Sequence, residues 1–382
     1  MKKNNKTNKK NKNSNNDKIL KKKTKRINNN DSTANKPESE NINKSDLFSK
    51  KFQLIKDYAD IQDLNPHCNY VFFTSINHIL FLVYASGDYS ISCYNLIGKV
   101  KINEIKNCHT KIILSLEHIY DSQNKKDLIL SLSNEYNIKV WDINNLELIT
   151  NIKIKNLNDG EDGYVYSSCC FFQVKNKIYI VSYLGRLIIE IFDLNGYQIK
   201  AIKDYSLKLY VYYDKYLDKN YIINLKMQQL YSYDFTEDKI YLTYKKVEGI
   251  KATLQIHSIL IIGEKNLTKL IAIGYSFINI FDFHSSTKIK EIKFNLTYSK
   301  KMCLWNNKCL LMINSPKGEY YAGKENNGIN MIDLEKGIVN YNIISFKKFY
   351  LFFISKITHP FDGERLMVFG YDYKFQFFKE KK

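Results

Sequence analysis

The sequence predicts an all-β protein: a seven-bladed β-propeller of four-stranded antiparallel blades, closed by an N-terminal strand and preceded by a disordered basic tail. Three observations lead there. A short strand pattern recurs seven times along the chain, each copy is framed by an apolar run and a tight turn, and residues 1–50 carry charge but almost nothing to bury.

The tail comes first in the chain. Residues 1–30 hold eleven lysines and Arg26 against one acid, Asp17, and so supply +11 of the formal net charge of +19. The 352 residues that follow carry only +8, an ordinary balance for their length. Without aromatic or aliphatic clusters, residues 1–50 cannot offset chain entropy and are expected to be disordered. Within them Lys21, Lys22, Lys23, Lys25 and Arg26 form one basic run. Three readings of that run stay open: a nuclear-import signal, a patch for RNA or anionic membrane, and a solvated tail grown from compositional bias.

Residues 51–382 are expected to form the propeller. Phe52-Gln53-Leu54-Ile55 reads as a strand with no blade of its own, placed to complete the last blade and close the ring. The repeated pattern is apolar, polar, apolar, aromatic, Asp, apolar. It starts at Ile91, Ile138, Ile189, Leu230, Ile278, Ile329 and Phe375, at spacings of 47, 51, 41, 48, 51 and 46 residues. Its fourth position is aromatic in six copies, with Ile332 the exception. Its fifth is Asp in five: Asp142, Asp193, Asp234, Asp282 and Asp333, with Asn95 and Lys379 in the other two. Such alternation predicts a strand with one buried face. An apolar run precedes each copy: Ile79 to Tyr84, Leu128 to Leu132, Ile178 to Val181, Tyr221 to Leu225, Leu270 to Ile273 and Leu366 to Phe369. The sixth blade offers only Glu319-Tyr320-Tyr321-Ala322 in that slot. Turns such as Leu194-Asn195-Gly196 and Glu335-Lys336-Gly337 follow, leading into outer strands.

The stretch Ser131-Leu132-Ser133-Asn134-Glu135-Tyr136-Asn137-Ile138-Lys139-Val140-Trp141-Asp142 resembles the repeat ending of the WD-repeat family. His109 stands 32 residues before Trp141, where that family usually has Gly-His, with Cys108 in place of the glycine. The resemblance covers about residues 52–382, and a single copy keeps the Trp-Asp pair, which marks a divergent member. It implies that His109, Ser131, Glu135, Trp141 and the motif aspartates are structural parts of the blades. It also implies an acid seven residues before the fifth motif position, kept here as Asp88, Glu135 and Asp372. The family's next residue is normally Gly; here Tyr89, Tyr136 and Tyr373 stand there, in blades that would be neighbours in a closed ring. Turns at this position line the partner-binding face of WD-repeat propellers, so the three tyrosines are candidate partner contacts.

Other chemistry finds no foothold. The stretch Asp159-Gly160-Glu161-Asp162-Gly163 lacks the lysine of a phosphate loop and the length of a calcium loop, and no hydrolase, zincin or kinase signature occurs. The seven cysteines have no C-x-x-C spacing, so free, mostly buried thiols in a reducing compartment are expected. No apolar stretch is long enough to span a bilayer and the N-terminus is not a secretory leader, which together predict an intracellular protein of cytoplasm or nucleus. The leading functional expectation is a non-enzymatic scaffold for protein partners, with no catalytic residues, metal or cofactor. The alternative is a ribonucleoprotein-associated propeller whose basic tail contacts RNA. An enzyme or ligand-binding propeller would need polar groups converging on a channel, which the sequence alone does not display.

Overall fold

The computed structural model describes residues 52–58, 69–153, 167–184, 187–226, 230–236, 239–244, 256–274, 277–294, 302–314, 327–346, 351–359, 363–370 and 375–380. The basic run and Tyr373 lie outside these residues. The described strands form seven four-stranded antiparallel sheets and no helix, the architecture of β-propeller blades. The strands run four to nine residues between polar turns, with apolar residues alternating or continuous rather than at the helical period.

The sheets are simple meanders. The first holds β2 (Tyr70–Thr74), β3 (Leu80–Ala85), β4 (Ile91–Asn95) and β5 (Val100–Ile105). The second holds β6 (Ile113–Asp121), β7 (Lys126–Ser133), β8 (Asn137–Asp142) and β9 (Glu147–Lys153). The third runs β10 (Ser167–Val174), β11 (Lys177–Leu184), β12 (Ile188–Asp193) and β13 (Gln198–Lys203). The fourth runs β14 (Lys208–Asp214), β15 (Lys219–Leu225), β16 (Leu230–Asp234) and β17 (Lys239–Tyr244). The fifth comprises β18 (Ile256–Ile262), β19 (Lys269–Gly274), β20 (Phe277–Asp282) and β21 (Lys288–Lys293). The sixth comprises β22 (Met302–Trp305), β23 (Cys309–Asn314), β24 (Asn327–Asp333) and β25 (Val339–Phe346).

The last sheet is assembled from both ends of this region. β26 (Leu351–His359), β27 (Gly363–Gly370) and β28 (Phe375–Glu380) are joined at the open edge by β1 (Phe52–Tyr58). Phe52 faces Glu380 and Tyr58 faces Phe375, with an irregularity between Leu54 and Lys56. The strand expected at Phe52–Ile55 is therefore present, three residues longer, and pairs where expected. First strands touch their neighbours in sequence order: β2 with β6, β6 with β10, and β10 with β14. β26 touches both β2 and β22, so the composite sheet packs against the first sheet and the sixth.

Two expectations are corrected. In the sixth sheet the strand preceding the motif is β23, Cys309–Asn314, with Leu310 and Leu311 buried. The segment Glu319-Tyr320-Tyr321-Ala322 lies outside the described residues. The third strands do not bury one face only. Ser92, Asn279 and Asn330 stand at the polar second position yet are buried, because each sheet is covered by a neighbour on either side. The first motif position is buried in all six copies whose side chains are described: Ile91, Ile138, Ile189, Leu230, Ile278 and Ile329. The outer strands β9 and β13 alternate toward solvent, which accounts for their Lys, Glu and Gln content.

The Asp column has a local cause. In six copies the fifth-position carboxylate or amide oxygen accepts the backbone N–H of the residue two on. Asn95 Oδ1 takes Ile97 N at 3.0 Å, and Asp142 Oδ1 takes Asn144 N at 3.0 Å. Asp193, Asp234, Asp282 and Asp333 do the same with Asn195, Thr236, His284 and Glu335. Each oxygen closes an Asx turn that starts the hairpin into the outer strand. Gly196 and Gly337 sit in two of these turns at φ of 85° and 75°, where a side chain would be strained.

Candidate functional site

In a meander the turn between second and third strands lies at the same end as the exit from the fourth. The β3–β4, β7–β8 and β11–β12 turns therefore share one end of three successive sheets with the β5–β6 connection. That end holds the residues the sequence singled out in the second sheet, and the structure joins four of them in one hydrogen-bonded chain. Trp141 Nε1 donates to Ser131 Oγ at 3.0 Å; Ser131 Oγ meets His109 Nε2 at 2.8 Å; His109 Nδ1 meets Glu135 Oε1 at 2.7 Å. Thr110 closes the set, donating its backbone N–H to Glu135 Oε2 at 3.1 Å and its hydroxyl to the same oxygen. The chain ties the connection (His109), second strand (Ser131), turn (Glu135) and third strand (Trp141) to one another.

The electrostatics fix the protonation pattern. Partial burial works to raise the Glu135 carboxyl, but the hydrogen bonds from Thr110 and His109 outweigh it and bring it down to about 2. Burial pushes the His109 imidazole below its ordinary value, against the opposing pull of Glu135. A neutral ring that donates from Nδ1 to the carboxylate leaves Nε2 to accept the Ser131 hydroxyl proton, while Ser131 Oγ accepts the Trp141 N–H. With both His109 and Ser131 buried, this is a structural brace.

Other sheets improvise at the same register. Ser182 lies opposite Glu190 as Ser131 lies opposite Lys139. Phe192 there has no N–H to offer, and the Ser182 hydroxyl has no partner among the described residues. In the fourth sheet Asn224 takes the position and its amide donates to Asp204 Oδ2 at 2.9 Å and to the Tyr205 carbonyl at 3.0 Å. Incoming connection and second strand are again tied, by different side chains. Asp142 and Asp234 add ion pairs, to Lys126 at 2.8 Å and Lys219 at 3.1 Å. Asp193, Asp282 and Asp333 serve as turn acceptors.

The tyrosines of the turns separate. Tyr89 and Tyr136 both adopt left-handed backbone conformations, φ 64° and 60°, with N–H groups bonded to Ser86 and Ser133 carbonyls. Tyr89 is 37% exposed, whereas Tyr136 is half-buried and packs on the cluster around Leu128, Ile138 and Ile152. Asp88, beside Tyr89, is held below the ordinary carboxylate range, chiefly by the Ser86 hydroxyl. Leu187, missed in the sequence, stands at the same register in the third sheet with φ 59° and 60% exposure. Its signal was its place two residues before Ile189, but Arg186 precedes it where the other turns carry Asp88 and Glu135. Ile112 adds a further exposed side chain at this end, and its carbonyl accepts the Asn134 N–H at 2.9 Å.

Among the described residues no helix is long and apolar enough to cross a membrane, and no group of His, Cys, Asp and Glu could hold a metal ion. No protein-family model matches the chain, and no curated protein matches it.

Proposed function

We infer that the chain is a divergent WD-repeat propeller whose seven sheets close as one ring, and that it acts as a non-enzymatic scaffold holding protein partners inside the cell. The observation that carries this reading is the row Tyr89, Tyr136, Leu187: bulky side chains at a turn position whose left-handed backbone favours glycine. A left-handed non-glycine residue costs about 1 kcal/mol, and three successive sheets bear that cost while leaving Tyr89 and Leu187 exposed. Large, stiff side chains on a braced framework are what a partner-binding face needs. The resemblance of His109, Ser131, Glu135 and Trp141 to the family's structural set supports the family reading.

The test is capture of partners on the full chain, with and without Tyr89→Gly and Leu187→Gly together. Glycine suits both backbones, so the double variant is expected to keep its thermal midpoint while losing proteins that wild type retains. Identical captured sets would remove this end of the sheets from consideration as the binding face. The basic tail favours a second reading, a ribonucleoprotein-associated propeller. In that case deletion of residues 1–50, or RNase, abolishes capture.

A further inference from the structure

The opposite end of the sheets carries a cleft that the reading above leaves unused. It lies between the β10–β11 and β14–β15 hairpins, has a volume of about 470 Å³, and is lined by Phe171, Phe172, Lys175, Val211, Tyr213 and Asn220, among others. Its walls are apolar and aromatic, and they are stiff. Phe172 is buried and packs on Tyr179 and Phe235 at ring-centroid distances of 5.2 and 5.0 Å. Tyr213 is exposed at the rim, its hydroxyl donating to Asp218 at 2.9 Å. The hairpin turn beyond it presents Tyr216 and Leu217, both exposed, with their N–H groups fixed by Asp214 Oδ1.

One atom shows what the cleft lacks. Asn220 lines the cleft while only 3% exposed, and its Oδ1 has no hydrogen-bond partner among the described residues. Its backbone carbonyl is occupied, accepting Phe235 N at 3.0 Å. A buried amide oxygen without a donor forfeits its hydration for nothing in return, unless an incoming group supplies an N–H. The rim sets the charge of that group. Lys175, Lys177 and Lys215 are exposed on the two hairpins, Lys215 riding over the Tyr216 ring at 5.0 Å. The exposed acid among them, Asp218, is engaged by Tyr213.

We propose that this cleft binds an acidic peptide segment of a partner protein, which inserts an aromatic side chain between Phe172 and Tyr213 and gives an N–H to Asn220 Oδ1. Flanking carboxylates of the peptide meet Lys175, Lys177 and Lys215. An indole suits the site doubly, because its ring fills an apolar slot while its N–H reaches an acceptor. The proposal rests on the scaffold reading only in taking a protein as the partner, and it concerns a surface at the other end of the sheets.

Fluorescence anisotropy on the full chain tests it with three labelled seven-residue peptides: a central Trp flanked by Asp and Glu, the same with Ala for Trp, and the Trp peptide flanked by Lys. The acidic Trp peptide is expected to bind at least about tenfold more tightly than either control, and to weaken with added salt. Tyr213→Ala and Lys175→Glu, both at exposed positions that leave the core untouched, are each expected to weaken it by about tenfold or more. Tyr89→Gly with Leu187→Gly is expected to bind it as wild type does, so failure of the cleft would leave the face that carries Tyr89 and Leu187 standing. Equal binding of all three peptides, or unchanged binding by both cleft variants, overturns the proposal.

Discussion

Glu135 accepts hydrogen bonds from three groups on two neighbouring residues, and burial pushes His109 toward its neutral form. Both groups resist protonation in the folded chain more than in the unfolded one, so the unfolded state binds more protons and stability falls as pH falls. Loss begins as pH drops below about 6.5, the ordinary imidazole value, and continues for Glu135 from 4.5 toward about 2. Urea titration of wild type and Glu135→Gln is therefore expected to show a stability gap that narrows between pH 5 and pH 3. A constant gap would mean that the carboxylate is not held down by folding. Ser131→Ala should cost about 2 kcal/mol, because it strands Trp141 Nε1 and His109 Nε2 in a buried site; Trp141→Phe, which removes a donor together with its need, should cost less. Burial also raises the thiols of Cys93, Cys108 and Cys303 to about 12, so alkylation at pH 8 is expected to be slow until the chain is unfolded. Rapid labelling of the folded protein would contradict that burial.

At the scale of the strand and turn, the motif aspartate is legible as a column but not as a cause. The sequence displays Asp142, Asp193, Asp234, Asp282 and Asp333; only the turn geometry shows that each caps the hairpin that follows. The exceptions then explain themselves. Asn95 offers the same oxygen, and Lys379 needs none, since the strand beside β28 is β1 rather than the next strand in the chain. Asp193→Ala and Asp282→Ala are expected to lower stability by about 1 kcal/mol each in denaturant unfolding, one net hydrogen bond or so. Asp234→Ala should cost more, about 2 kcal/mol, because its buried carboxylate also pairs with Lys219. The β23 error has an equally local origin. The rule that the apolar run stands directly before the motif assumes a short hairpin, and residues 315–326 separate Asn314 from β24. Leu310, Leu311, Met312 and Ile313 carried the signal, at an offset the rule did not allow. The cleft at Asn220 was illegible for a different reason: its walls come from β10, β14 and β15, and nothing in the sequence places Phe172 beside Tyr213.

For the molecule as a whole, the decisive pairing is β1 on β28, where the partner sheet was foreseeable from a lone strand and a last sheet one strand short, though the register was not. Removing residues 1–58 exposes the β28 edge, an unpaired row of N–H and C=O groups inviting other chains. The truncated protein is expected to scatter light and lose its single thermal transition, while removal of residues 1–50, which spares β1, leaves both unchanged. Equal behaviour of the two truncations would show that β1 is dispensable. The same pairing constrains the order of events on the ribosome. Phe52 emerges early, but its partner Glu380 is among the last described residues to be made. Six sheets can therefore form as they are synthesised, while β1 must wait, unpaired and available to a chaperone or a neighbouring nascent chain. Its docking is a closure across the greatest sequence separation in the fold, and it sets the slow final step of maturation.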